Sequence, residues 1–313
     1  MSKKLLLLML LSLSALTSCH SQKKLMKNIV AEYTFPTHTL SLDSLELSYI
    51  KTGNGTQTLL FIHGLSSNAE AWSKNIEQLQ KHYTCVALDL PGFGKSSKLQ
   101  VSYTPSYYAA VIYEFIQQLG LDKVVLIGHS MGGQAAIKLA LSHPALIEKL
   151  VLVAPAGLER FSEASAKMMK AGYTAAVVKN TTEAQIEANY ALNFYAVPAE
   201  ASKMISDRKN IVNATDFDAH CDAIVKSIAG MLDEPVYDFL KELRPPTLVI
   251  FGEQDQLIPN RYFNPTLSTK QVAEVAQELI KNVQVEFIGE SGHFVQFEKP
   301  KEVNLMIEQF VEK

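Results

Sequence analysis

The 313-residue chain carries only three cysteines and one tryptophan, and its charges nearly balance, leaving a net charge of −3. Three cysteines cannot form a disulfide framework. Cys85 lies in an apolar, strand-like run and Cys221 in a distant region, so packing is expected to hold the core together. The near-neutral charge lacks the basic footprint of a nucleic-acid binder, and no nucleic-acid partner is expected. No cluster of His, Cys and Asp has ligand spacing, which argues against a metal. Gly94-Lys95-Ser96 has the ending of a phosphate-binding loop. The glycine required five residues earlier is Asp89, however, and its carboxylate repels phosphate, so no nucleotide cofactor is expected. Internal repeats and low-complexity tracts are absent beyond the leader. The longest apolar run, Leu5–Leu16, falls short of the roughly twenty residues that cross a bilayer.

What is present centres on Val124–Gly133, VVLIGHSMGG. Four apolar residues read as a buried strand, Gly128-His129-Ser130-Met131-Gly132 is a G-x-S-x-G, and Gly133–His143 continues with helical spacing. In so tight a strand–turn–helix the central serine is forced into a strained conformation with its hydroxyl clear of the sheet. Glycines on either side are needed because side chains would collide where strand and helix converge. Ser130 is the candidate nucleophile.

A serine hydroxyl needs a base, and the base needs an orienting acid. Pro246–Gly252 reads as a buried strand, and Asp255 sits just past its carboxyl end, where parallel sheets place their sites. Val283–Ile288 reads as another strand, with His293 in the loop after it. The chain order Ser130, Asp255, His293 is that of a Ser-Asp-His triad on an α/β sheet. Asp89 also ends a strand and is the competing acid, but Asp255 is preferred on its spacing to His293. His63 and His129 are expected to shape loops beside the site.

The remaining elements alternate. Strands are expected near Tyr33–Leu40, Leu45–Lys51, Thr58–Ile62, Cys85–Leu88 and Lys149–Val153, and helices around Trp72–Leu79 and over Pro105–Leu119. This pattern implies an α/β fold: a mostly parallel central sheet with helices on both faces. From 158 to 240 the strand signal disappears, with helical spacing over Ala164–Lys179, Thr182–Phe194 and Asp218–Met231. The segment Asn260–Lys270, ahead of a helix at Gln271–Lys281, is unusually long and can border the site or decorate the surface.

With these residues in place the chain resembles the α/β-hydrolase family, from about Leu45 onward. His63-Gly64 after a strand, Asp89-Leu90-Pro91-Gly92-Phe93-Gly94-Lys95-Ser96, Gly252-x-x-Asp255-x-x-x-Pro259, and Gly292-His293 with Glu298 and Pro300 all match its landmarks. The resemblance implies Ser130 as nucleophile, Asp255 as acid and His293 as base, with the backbone N–H groups of Leu65 and Met131 as oxyanion hole. It also implies a core over 31–157 and 241–313 and a helical cap over 158–240 roofing the site. Met168, Met169, Tyr173, Phe194, Tyr195, Phe217 and Met231 are candidates for its apolar lining. The activity implied is hydrolysis of a carboxylic ester, a small-molecule substrate, through an acyl-enzyme. Carbon–carbon hydrolysis or acyl transfer by the same residues, and a non-catalytic lipid-tethered binding protein, are the alternatives.

The N-terminus concerns location. Lys3 and Lys4 precede the apolar run, as in a signal peptide, and Leu16-Thr17-Ser18-Cys19 resembles the bacterial lipobox. Residues 1–18 are then removed and Cys19 acylated. Residues 19–30 form a tether, and the protein sits on a membrane of the bacterial cell envelope without crossing it. The alternative is an ordinary secreted protein with an incidental cysteine.

Overall fold

In a computed structural model, residues 24–313 are described; the leader and Cys19 lie outside them. The chain enters through a 3-10 turn at Met26–Asn28 and forms β1 (Thr37–Leu42), β2 (Leu45–Thr52) and β3 (Thr58–Ile62). Helix α1 (Ser73–Leu79) leads to β4 (Thr84–Leu88), and α2 (Pro105–Gln118) to β5 (Val124–His129). The start of α2 is written locally: the Thr104 hydroxyl accepts the Tyr107 N–H, and Pro105 occupies the first turn, where a missing N–H costs nothing. Helix α3 (Met131–Ser142) precedes β6 (Ile147–Val153).

Five helices follow β6: α4 (Glu163–Gly172), α5 (Ala175–Lys179), α6 (Glu183–Ala191), α7 (Ala201–Asn210) and α8 (Phe217–Asp233). The chain then returns through β7 (Thr247–Gly252), α9 (Thr269–Leu279), β8 (Val283–Ile288), α10 (Val295–Glu298) and α11 (Pro300–Val311). The eight strands form one sheet in the order β1-β2-β4-β3-β5-β6-β7-β8. β1 and β2 pair antiparallel, as do β2 and β4, and every other neighbouring pair is parallel. Every residue of β3, β5 and β7 is buried, as expected of parallel strands covered on both faces. Cys85 and Cys221 are both buried and free.

Three local expectations change. The first strand begins at Thr37 rather than near Tyr33, because Tyr33 is taken into the core, where its hydroxyl donates to Asp89 at 2.8 Å. The helix expected over Ala164–Lys179 is two, α4 and α5. Tyr173 is extended between them, and the Thr174 hydroxyl starts α5 by accepting the Val177 N–H. Helix α7, polar and weakly periodic, carried no recognised sequence signal.

The inserted helices form a cap docked by a few apolar anchors. Met169, Phe194 and Phe217 are buried, and Phe194 packs on Phe294 and Phe297. Met168, Tyr173 and Tyr195, candidates for a lining, instead face solvent at 65%, 46% and 55% exposure. Residues 24–34, partly read as a tether, strap the cap to the sheet. The Met26 N–H donates to Asp216 and the Ala31 N–H to Asp207 on the cap side, while the Thr34 N–H donates to Glu70 on the core side.

Candidate active site

The turn between β5 and α3 holds Ser130 at φ 52° and ψ −118°, a region costing a non-glycine residue about 1–3 kcal/mol. Its own peptide groups hold it there. The Ser130 N–H donates to the Val153 carbonyl, and the Ser130 carbonyl accepts from Gly133, Gln134 and Ala156. The flanking glycines are steric requirements. A Cβ on Gly128 would lie 2.5 Å from the Gly132 carbonyl oxygen, and one on Gly132 would strike the carbonyls of Ile62 and His63.

Asp255 follows β7 and His293 follows β8; both are almost fully buried. His293 Nδ1 donates to Asp255 Oδ2 at 2.8 Å, so Nε2 is left free to accept a proton. Asp255 Oδ1 accepts the N–H groups of Leu257 at 2.8 Å and Ile258 at 3.0 Å, which fixes the carboxylate's orientation. Asp89 is committed elsewhere: it accepts from Tyr33, Ala69 N–H and Lys95 N–H and organises the loop after β4. Burial raises its pKa against these bonds.

Among the described residues no hydrogen bond joins Ser130 Oγ to His293, and the serine is linked to this pair through its neighbour His129. His129 Nε2 donates to the His293 carbonyl at 3.0 Å, and the two imidazole rings lie 4.8 Å apart. Burial, and the adjacent His293, hold the His129 pKa well below the usual value, so it is a neutral brace.

The loop after β3 lies against the serine. A Cβ on Gly64 would be 3.2 Å from Ser130 Cβ and 2.8 Å from His129 Nδ1. His63 organises this loop. Its Nε2 accepts the Leu90 N–H at 2.9 Å, so its Nδ1 carries the proton and donates to the Gly64 carbonyl at 2.7 Å. Burial lowers its pKa to about 4, keeping that tautomer neutral. Because the Gly64 carbonyl and the Leu65 N–H share one planar peptide, fixing one fixes the direction of the other. Among the described residues neither the Leu65 N–H nor the Met131 N–H, at the first position of α3, has a backbone acceptor.

The His293 loop is tied to the cap. Glu298 accepts the N–H groups of Gly292, Tyr195 and Ala196, and the Phe294 N–H donates to the Asn193 carbonyl. The long segment after Asp255 is tied to the first residues beyond β6, since Glu159 accepts from Asn260 N–H and Asn264 Nδ2. Sequence reasoning missed Glu159 as that anchor, and its lone carboxylate carried no motif. His63 does shape the loop beside the site, as expected, through its bonds to the Gly64 carbonyl and the Leu90 N–H. Cys19, the candidate lipidation residue, lies outside the described residues.

Residues 57–300 match the α/β hydrolase fold family. The chain belongs to that family. Among relatives, the uncharacterized hydrolase YugF of Bacillus subtilis is 26% identical over 292 residues, covering 90% of this chain and 99% of its own. A 2-hydroxy-6-oxononadienedioate/2-hydroxy-6-oxononatrienedioate hydrolase of Burkholderia vietnamiensis is 26% identical over 284 residues, covering 86% of this chain and 92% of its own. The crystal structure of a probable hydrolytic enzyme from Pseudomonas aeruginosa superposes with a TM-score of 0.83 at 23% identity, covering 93% of this chain and 98% of that one. As an α/β hydrolase, the chain places the elbow, the acid loop and the histidine loop at the carboxyl ends of β5, β7 and β8.

Proposed function

We propose that the protein is a serine hydrolase of carboxylic esters. The observation that carries this reading is the hydrogen bond from His293 Nδ1 to Asp255 at 2.8 Å, next to a serine held at positive φ. Ser130 Oγ attacks the ester carbonyl while His293 Nε2 takes its proton, and Asp255 stabilises the imidazolium. The oxyanion is held by the N–H groups of Leu65 and Met131, each worth about 10²–10³ in rate. His293 protonates the departing alcohol, then activates the water that releases the acid from Ser130.

The test is hydrolysis of p-nitrophenyl esters of increasing chain length by the wild type and Ser130→Ala, with fluorophosphonate labelling. Serine-dependent turnover supports the reading, and the best chain length sizes the acyl site. Residual turnover in Ser130→Ala removes it.

Carbon–carbon hydrolysis is the second reading. What favours it is the 26%-identical relative named for a keto-dioate, a compound with no ester bond. Fluorophosphonate labelling without turnover of any ester would move this reading to the front. Loss of both labelling and turnover would favour a binding protein.

For location, the proposal is a lipoprotein of the bacterial envelope, acylated at Cys19 and held at a membrane. Incorporation of labelled palmitate that disappears in Cys19→Ala supports it. A soluble, unlabelled wild type removes it.

A further inference from the structure

The strap and cap carry apolar residues on both of their faces. Four adjacent pairs are divided between them. Met26, Met169, Val178 and Ile211 are buried, while their neighbours Leu25, Met168, Val177 and Val212 are 43%, 65%, 55% and 41% exposed. Adjacent side chains on a helix point about 100° apart, so the inward residue alone can anchor the cap. Its outward neighbour is free to be polar, as water-facing helix residues generally are. Here it is apolar four times, and Tyr173 adds an exposed ring. Of the twelve large apolar side chains exposed among the described residues, nine lie on the strap and cap, the smaller part of the chain. Single residues of this kind need no explanation, but their concentration on one unit marks an interaction surface.

The outward residues gather where the chain enters the fold. The Thr215 N–H donates to the Lys24 carbonyl at 2.9 Å and the Met26 N–H to Asp216 at 2.7 Å, which sets Leu25 beside the turn that carries Val212. Met26 and Ile211, the inward members, line one small void beneath the strap. Helix α5 is held to the same region, because Arg208 donates to the Val178 carbonyl and Lys179 pairs with Asp218. Tyr173 and Met168 precede α5 directly.

The N-terminal end of the chain indicates the occupant. Bonds hold the strap from Lys24 onward, and six residue steps separate Cys19 from Leu25, a reach of at most about 20 Å. An acylated Cys19 therefore brings this face next to a bilayer. Lysines flank the patch: Lys24 beside Leu25, Lys167 beside Met168 and Lys179 after Val177. Their stems cover apolar surface while their heads reach the headgroup layer. Lys179 pairs with Asp218 and Lys170 with Asp233, so much of the local charge is balanced. Apolar burial drives the contact, and anionic lipid is not required.

We propose that this face of the strap and cap docks on a lipid bilayer. Leu25, Met168, Tyr173, Val177 and Val212 enter the boundary between headgroups and acyl chains. The acyl anchor keeps the protein at the membrane, and the patch fixes which way it faces. The choice of a bilayer rests on the lipoprotein reading of Cys19; the apolar face rests on the side chains themselves.

The test uses the full chain, expressed in a bacterial host and reconstituted in phosphatidylcholine vesicles. Cys85 and Cys221 are buried, so a nitrobenzoxadiazole label can be directed to Val177→Cys, Val212→Cys or, as a control on α11, Leu305→Cys. Quenching by spin-labelled phosphatidylcholine is expected to be at least threefold stronger at 177 and 212 than at 305. Adding Met168→Gln and Tyr173→Gln should at least halve the quenching at 177, with the thermal midpoint unchanged. Equal quenching at all three sites, or quenching at 177 indifferent to those two substitutions, overturns the proposal. A blue-shifted label that the lipid does not quench also overturns it, because a second copy or another protein then covers the face. Palmitate labelling separates the two readings. An unacylated protein still quenched at 177 removes the lipoprotein and keeps the docking face, whereas an acylated protein unquenched there removes the docking face alone.

Discussion

His129 and His293 are locked to each other: the His129 ring N–H donates to the His293 carbonyl at 3.0 Å, with the rings 4.8 Å apart. The residue that precedes the candidate nucleophile thus sets the height of the loop carrying the candidate base. This contact joins the ends of β5 and β8, which are not neighbours in the sheet.

His129→Phe keeps a ring in that space and removes the donor. The His293 loop is then free to drift, and misplacement of about 1 Å can cost a hundredfold. The expected outcome is a kcat lower by about ten- to a hundredfold with KM changed less. Steady-state kinetics on the best ester checks this; an unchanged kcat shows that the brace is packing only.

His63→Phe releases the Gly64 carbonyl and leaves the Leu90 N–H without its acceptor. With the Leu65 N–H as the proposed oxyanion donor, its loss of aim predicts a fall in kcat of about 10²-fold. The pH dependence of stability follows from the same ring. Its folded pKa is lowered from 6.5 to about 4, so the folded state prefers the neutral form. The stabilisation is fully present above pH 6.5 and is lost as pH falls towards 4, by about 3 kcal/mol in all. Urea unfolding at pH 7.5, 5.5 and 4.5 should show a steeper acid loss in the wild type than in His63→Phe.

Ser130→Gly relieves the positive φ. Folding stability is expected to rise by about 1 kcal/mol while the proposed ester hydrolysis disappears. Ser130→Ala, which retains a Cβ, abolishes activity without that gain. Denaturant midpoints of the two variants make the comparison, and equal midpoints would show that the turn stores no strain.

Glu298→Ala removes the acceptor shared by Gly292, Tyr195 and Ala196. The expected cost is about 1–3 kcal/mol, since the Gly292 N–H is left without its partner. The cap should loosen over the His293 loop, raising hydrogen exchange at 193–196 and raising KM more than kcat falls. Unaltered exchange there would count against this coupling.

Much of the architecture was legible because it is written in short, local patterns. The runs at 59–62, 124–127 and 248–251 are apolar at every position, as suits strands covered on both faces. Glycines 128 and 132 announce a turn too tight for side chains. The order of Ser130, Asp255 and His293 along the chain reflects the order of the strands they follow. The break between α4 and α5 was missed because Thr174 competes as a cap inside a segment whose spacing remains helical.

The sequence by itself determined which stretches become strands and which turn is strained, because these depend on residues within a few positions of one another. It also determined where the chemistry-bearing side chains sit along the chain. The sequence preferred Asp255 to Asp89 on its spacing, and only the tertiary structure shows Asp255 bonded to His293 while Asp89 is held by Tyr33, Ala69 and Lys95. The tertiary structure likewise decided that His129 braces the His293 loop and that His63 aims the Gly64–Leu65 peptide. Those pairings join residues far apart in the chain, and their partners are chosen by packing and burial, which no local pattern encodes.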